Sequence, residues 1–540
     1  MANNQHKGET EKWLPANGNS APAETATEQC ASIFDLRFDP NSKTSKNSSK
    51  KLYPQILACI SAASFHFPVG IVVAFSAIVI PELEKAGSEI PATKDETAWF
   101  ASLAVSVVPV GALFTGWIME TIGRLNTIRV AAIPYTIGWI LIATASGLPQ
   151  LYIGRFLTGF AIAMGPSPGI VYITEVARPD LRGSLICTGP SMTSFGMLLT
   201  YTLGWLLPWR IVAWIGIAFS IVPLGAMFLW APESPSWLLS KGRREEALKA
   251  FQFLARGDPD QEALAERQVV ILEKEISRKM KTGPQDPVIK RFVKGFGNPT
   301  GYKPLFILIF LFFFQQFAGI YITIFYAVTF FQQVNSGIDP YISTILIGLI
   351  RMLMGFLTSG LLRSYGRRTL CIISGLGMSV LLGVSGYYTR LIQLKEIESS
   401  IIPVICLLLY MSLSVIGLMS IPWTMTAELF PVEMRGMAQG FIVSLAHVIM
   451  FSALLVYRSL PDLLGGAYGV QYLFGAMSLA SVLFVYVFLP ETHKKTLIEI
   501  NNYFKNNTIY IGSDKRRRQS TATPGLEMSS RTSVSPNPNV

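Results

Sequence analysis

The sequence predicts an all-α membrane protein of twelve transmembrane helices, built as two six-helix pseudo-repeats. Composition is the first reason. Half of the 540 residues are hydrophobic, 15% are charged and the mean hydropathy is +0.41, too apolar and too charge-poor for an ordinary water-soluble protein. The second reason is length: a crossing helix needs about 20 apolar residues, and twelve such windows can be drawn. The third is repetition. Gly123-Arg124, then Glu175 with Arg182-Gly183, then Pro232-Glu233-Ser234 recur in the same order as Gly366-Arg367-Arg368, Glu428 with Arg435-Gly436, and Pro490-Glu491-Thr492.

Taken in chain order, residues 1–52 are polar and contain no apolar stretch that a signal peptidase would recognise, so they read as a disordered cytoplasmic tail and the first span directs its own insertion. The first six windows start near Tyr53, Ala98, Ile128, Leu151, Ser184 and Ile211 and make up an N-terminal bundle over 53–231. A charged linker follows over 232–303. Within it Leu248, Phe251, Leu254, Leu264, Val269, Leu272 and Ile276 are spaced for two or three amphipathic helices lying against the bundle. The windows of the C-terminal bundle, 304–490, start near Pro304, Tyr341, Leu370, Ile401, Met437 and Val470. Residues 491–540 form the C-terminal tail, low in apolar content and disordered from Asn501; its Lys515–Arg518 run suits anionic lipid.

Orientation follows from the basic residues. With both termini cytoplasmic, that side holds Arg124, Arg129, Arg178, Arg182, Arg363, Arg367, Arg368 and Arg435 and the basic linker, whereas the opposite side holds only Lys85, Lys94, Arg210, Arg390, Lys395 and Arg458. The net charge of +11 is thus an orientation signal spread over many short loops, not a nucleic-acid surface. The cysteines at 30, 59, 187, 371 and 406 lie in a tail or in spans, where no disulfide framework forms, and the sequons at Asn47 and Asn506 fall on the cytoplasmic side.

The repeated motifs carry opposite charges at the cytoplasmic ends of helices. Glu175, Arg182, Glu428 and Arg435 are expected to form gate pairs where the two halves meet, with Arg124, Arg155, Arg367, Arg368, Glu233 and Glu491 as counter-charges. Pairs of this kind must break whenever the gate opens.

Together with Gly154-Arg155, Pro235-Ser236-Trp237-Leu238, Gln315-Gln316, Pro422-Trp423 and Ala427-Glu428-Leu429-Phe430-Pro431, these motifs make the chain resemble a sugar porter of the major facilitator superfamily from about Leu52 to Ile500, in particular the insect facilitated trehalose transporters. The resemblance implies facilitative sugar transport across the plasma membrane by alternating access. It also implies a central site in which Gln315 and Gln316 read the sugar and Trp423 supplies an aromatic face. Helical spacing places Gln315, Gly319, Ile322 and Tyr326 on one stripe, and amides and hydroxyls suit the paired donor and acceptor needs of a polyol. The two glutamines could equally bond between helices.

Several expected sugar contacts are replaced: Tyr321, Ala446 and His447 stand where the resemblance implies Asn, Asn and Trp, Arg351 replaces an Asn, and Arg363 replaces an acid. Arg351 lies twelve residues from both Asp339 and Arg363, about 18 Å from each end at 1.5 Å per residue and hence near the bilayer midplane. It is either a structural residue satisfied by carbonyls, water or an amide, or the binding group for a small organic anion. The first window has no Asp or Glu from Ile56 to Ile80, which argues for uniport over proton coupling. No phosphate-binding loop, metal-ligand cluster or nucleophile arrangement occurs, so neither an enzyme nor a cofactor is expected. The expected partners are a small sugar and the lipid bilayer. A non-transporting sensor is the remaining alternative, disfavoured by the short tail and the intact gate charges.

Overall fold

The computed structural model describes residues 53–256, 259–282, 288–431, 434–493, 495 and 497–506. All regular structure among them is helical. Eleven segments are long and apolar enough to cross a bilayer: Tyr53–Glu84, Lys94–Ile122, Arg124–Ala143, Leu148–Val176, Trp209–Trp230, Pro299–Phe325, Pro340–Ser364, Arg367–Gln393, Ile402–Glu428, Arg435–Tyr457 and Ala467–Phe488. Pro179–Leu206, a 28-residue helix richer in Ser, Thr and Gly, stands fifth in order and completes twelve spans. Observed starts fall within five residues of those expected from hydropathy, usually earlier. The shift has a physical cause. Helices begin in a polar first turn, as in the second span, where Thr93 and Glu96 form a reciprocal capping box ahead of the apolar run.

Packing repeats along with sequence. The third span packs on the fourth and sixth, as the ninth does on the tenth and twelfth. The two halves meet where the fifth span packs on the eighth and the second on the eleventh, and the outer part of the seventh packs on the first. Large apolar side chains on the outward faces, such as Leu113, Trp117, Phe228, Phe356, Val380 and Leu483, are mostly exposed and form the surface expected to face lipid chains.

Several spans are broken. The seventh is interrupted at Ala318-Gly319, where Gly319 has φ +84°, and again at Tyr326. The tenth opens between Gly417 and Ser420. The single stripe expected from Gln315 to Tyr326 is therefore wrong, because helical periodicity ends where the chain turns left-handed.

The linker holds four helices, Pro235–Ser240, Arg244–Ala255, Pro259–Thr282 and Val288–Gly297. Trp237, Leu238, Ala250, Phe251 and Val269 close a small core of their own, and Trp237 Nε1 donates to the Glu120 carbonyl at 3.1 Å, which ties the linker to the second span. The chain end expected to be disordered from Asn501 is helical over Leu497–Asn506, because Ile500 and Phe504 are buried and the Lys303 ammonium donates to the Phe504 carbonyl at 2.8 Å. Residues 1–52 and 507–540, with Cys30, Asn47 and the Lys515–Arg518 run, lie outside the described residues.

Glycine at Gly123 is required twice over: its φ is +105°, and a Cβ there would sit 2.6 Å from Glu233 Oε2. Gly123→Ala is expected to lower the apparent melting temperature of detergent-purified protein clearly, consistent with strain of about 1–3 kcal/mol, whereas Gly116→Ala, where a Cβ meets nothing, should leave it unchanged.

Candidate functional site

Two charge clusters sit at the end of the bundle that the linker covers. In the first half the Arg124 guanidinium clasps Glu175, with Nη2 2.8 Å from Oε1 and Nε 3.1 Å from Oε2, and the Ser234 hydroxyl donates to the same carboxylate. Glu233 accepts from the backbone N–H groups of Arg124, Leu125 and Asn126 at 3.0 to 3.3 Å, so it caps the third span and meets the positive end of its dipole. The second half repeats this geometry. Arg367 bonds Glu428 at 3.1 Å, the Thr492 hydroxyl donates to Glu428 at 2.6 Å, and Glu491 accepts from the Arg367 and Arg368 N–H groups at 2.9 and 3.1 Å.

These pairs form within each half, between Glu175 and Glu428 and the expected counter-charges Arg124 and Arg367. Arg182 and Arg435, expected as partners of the glutamates, leave Nε and Nη2 without a hydrogen bond. Arg155 does not belong to the gate at all. It is fully buried toward the opposite end, donating to the Val72 carbonyl at 2.8 Å, the Phe100 carbonyl at 3.3 Å and the Ser76 hydroxyl at 2.6 Å. Two signals in the sequence set it apart: it has no counterpart charge in the second repeat, and the fourth span starts on the side opposite the linker.

The repeats also differ. Glu120 adds a second acid to Arg124 at 3.4 Å, whereas the matching residue in the second half, Arg363, turns across to the Ser184 hydroxyl of the fifth span at 3.0 Å. His493, absent from the first motif, takes the vacated place and accepts from Arg367 Nη1 at 2.8 Å. At the far end the halves are tied directly. Arg458 reaches Glu84 at 2.5 Å, Thr97 donates to Glu84, Lys94 meets Asp462 at 3.2 Å, and the Tyr201 hydroxyl donates to the Ile324 carbonyl at 2.9 Å.

At mid-depth the residues expected to bind solute separate into two groups. Gln315 is fully buried and donates to the Leu418 and Met419 carbonyls, both at 2.8 Å, the very groups freed by the break in the tenth span. Gln316 leans on Gln315 Oε1 at 3.3 Å, and Tyr326 donates to the Leu454 carbonyl beneath the Arg458 guanidinium at the far end. Gln315 and Tyr326 thus brace the fold, whereas Gln316 keeps a buried Oε1 without a hydrogen bond. By contrast Tyr321, Arg351, Trp423 and His447 are all only partly buried. Trp423 Nε1 donates to the Tyr321 hydroxyl at 3.2 Å and its ring lies 5.6 Å from that of His447, so the seventh, tenth and eleventh spans together form a partly exposed aromatic platform that carries a hydroxyl. Sequence reading left His447 out of this group; its one signal was standing where the resemblance implies a tryptophan.

The description "Sugar (and other) transporter" matches residues 38–504, most of the chain. The chain belongs to the sugar transporter family. It is 30% identical over 465 residues to the facilitated trehalose transporter Tret1 of Apis mellifera ligustica, covering 86% of this chain and 90% of that one. It is 29% identical over 451 residues to the Tret1-2 homolog of Drosophila sechellia, covering 83% and 90%. Its fold is similar to that of the xylose transporter XylE from E. coli in a partially occluded inward-open conformation, with a TM-score of 0.66, 20% identity and coverage of 83% of this chain and all of the other. XylE bound to 6-bromo-6-deoxy-D-glucose gives a TM-score of 0.64 at 20% identity, covering 85% of this chain and all of that one.

Two outcomes follow from the division of the mid-depth residues. Gln315→Ala strands two buried carbonyls, at about 1–3 kcal/mol each, and is expected to lower the yield of monodisperse protein. Trp423→Ala is expected to fold normally, with its defect confined to solute binding. Size-exclusion profiles of the two variants beside wild type distinguish these results.

Proposed function

We propose that the chain is a facilitative sugar carrier, of trehalose or a hexose, that works by alternating access in the plasma membrane with both termini cytoplasmic. The observation that carries the reading is the pairing of two matched six-helix halves, the second of which presents a partly exposed aromatic platform at mid-depth, in a member of a sugar transporter family. A pyranose presents an apolar face to Trp423 and hydroxyls to Tyr321, which suits the chemistry of both partners.

In this reading the linker side is cytoplasmic. The far-end ties from Glu84 to Arg458 and from Tyr201 to Ile324 hold the outer entrance shut, while the unpartnered Arg182 and Arg435 are the gate charges left free when the inner entrance is not locked. On closing, Glu175 and Glu428 exchange part of their bonding toward those arginines across the halves. The intra-half clasps of Arg124 and Arg367 keep the two carboxylates aimed at the gate in both states. Uniport is supported by the acids of the first span: Glu82 and Glu84 lie at its outer end, and Glu84 is held by Arg458.

Reconstituted protein is expected to take up labelled trehalose or glucose saturably and without a pH gradient, with Trp423→Ala raising KM strongly. Absence of saturable uptake of either sugar by correctly inserted protein would rule out the proposal. For the gate, Cys187 is an exposed thiol on the fifth span next to Ser359, in contrast to Cys59, Cys371 and Cys406, which are buried. In a Cys30→Ser background, Arg458→Ala should loosen the outer lock and slow maleimide labelling of Cys187 from the linker side, and the exchange Glu84→Arg with Arg458→Glu should restore it.

A further inference from the structure

Among the described residues each deep arginine of this fold has an acceptor, with one exception. Arg155 has three, and Arg458, whose Nε and Nη1 make no hydrogen bond, is balanced by the Glu84 carboxylate. Arg351 has none: no hydrogen bond or ion pair to a described residue engages it, and its Nε and Nη1 are walled off from solvent. A guanidinium stays charged in a protein, so its N–H groups need an acceptor that the protein leaves out.

Its position says where that acceptor goes. Gly348, one turn earlier on the eighth span, rests against Leu198 and Tyr201 of the fifth, so Arg351 lies on the seam between the halves. Tyr201 of the first half thus stands beside it on this seam, and from the second half Tyr321, the residue hydrogen-bonded to the Trp423 platform, lies within electrostatic range of its guanidinium. No Asp or Glu occurs in the eleventh span, in the seventh segment or in the eighth span itself, and those of the fifth and tenth, Asp180 and Glu428, stand at the linker-side ends. The other basic residues of these spans, Arg182, Lys303, Arg363 and Arg435, also stand toward those ends. The site therefore combines a ring-binding face with a single fixed positive charge.

We propose that the central site is built for a monoanionic sugar, a pyranose carrying one carboxylate, with the ring on Trp423, a hydroxyl on Tyr321 and the carboxylate forked on Arg351. This rests on the sugar-carrier reading and narrows its substrate class. One guanidinium balances one carboxylate; a phosphate ester, close to doubly charged, would be left with an uncompensated charge in the middle of the membrane.

The test uses full-length protein in liposomes, with labelled D-glucuronate, D-glucose and trehalose as probes, for wild type, Arg351→Gln and Arg351→Lys. The expected result is saturable glucuronate uptake that carries net negative charge, falls about tenfold or more in Arg351→Gln, the value of charge-assisted hydrogen bonds, and is partly kept in Arg351→Lys. If wild type takes up glucose or trehalose saturably while excess glucuronate neither enters nor competes, the proposal is overturned and the sugar carrier stands. Glucuronate uptake that is unchanged in Arg351→Gln also overturns it. If no probe is taken up, both readings fall together. Should Arg351→Gln not yield monodisperse protein, the competition experiment on wild type decides alone.

Discussion

Lipid offers no hydrogen bonds, so each carbonyl released by a broken helix must be met by another part of the protein. That constraint organises the centre of this carrier. The tenth span opens at Gly417 to Ser420 and its Leu418 and Met419 carbonyls are taken by Gln315; the seventh breaks at Ala318 and its carbonyl is taken by the Tyr410 hydroxyl at 2.8 Å. Ser374 in turn accepts from the Leu418 N–H at 3.1 Å. A long polar side chain spent on bracing is not free for solute, and the Gln315 amide is spent in this way. What remains partly exposed at mid-depth is Tyr321, Trp423, His447 and Arg351, a smaller and more aromatic set than a polyol site built on amides.

Much of the architecture was legible from the sequence because the bilayer imposes strong and simple patterns. Apolar length, the distribution of arginine and the duplicated motifs are each set by the membrane or by the repeat, so Tyr53 and Ile402 could be placed to within a residue as the starts of spans. The site was less legible. Periodicity assumes a continuous helix, and the left-handed turn at Gly319 moved Tyr326 to the far end. Charge type does not reveal a partner: Arg155 and Arg124 both stand near the start of a span, yet one ends on backbone carbonyls and the other on Glu175.

The two repeats have diverged in strength. Arg124 has two acids and a bidentate clasp, while Arg367 has one acid, held through a single nitrogen, and a histidine. Where the first repeat has Glu120 the second has Arg363, which reaches Ser184 in the opposite half. The first repeat thus makes a bond internal to its half at this position, and the second makes one between halves. The C-terminal cluster is the looser of the two and is coupled more directly to the motion of its neighbour.

The bond from Tyr201 to the Ile324 carbonyl crosses between the halves close to the site. When the outer entrance opens, that bond must part, and a backbone oxygen within reach of the cavity loses its donor. Water can replace it, and so can a hydroxyl of an arriving solute. In the proposed alternating-access cycle, the state open at the far end is therefore favoured by hydroxyl-bearing molecules that can enter there, which ties the resting balance of the empty carrier to the solute concentration and water activity on that side of the membrane.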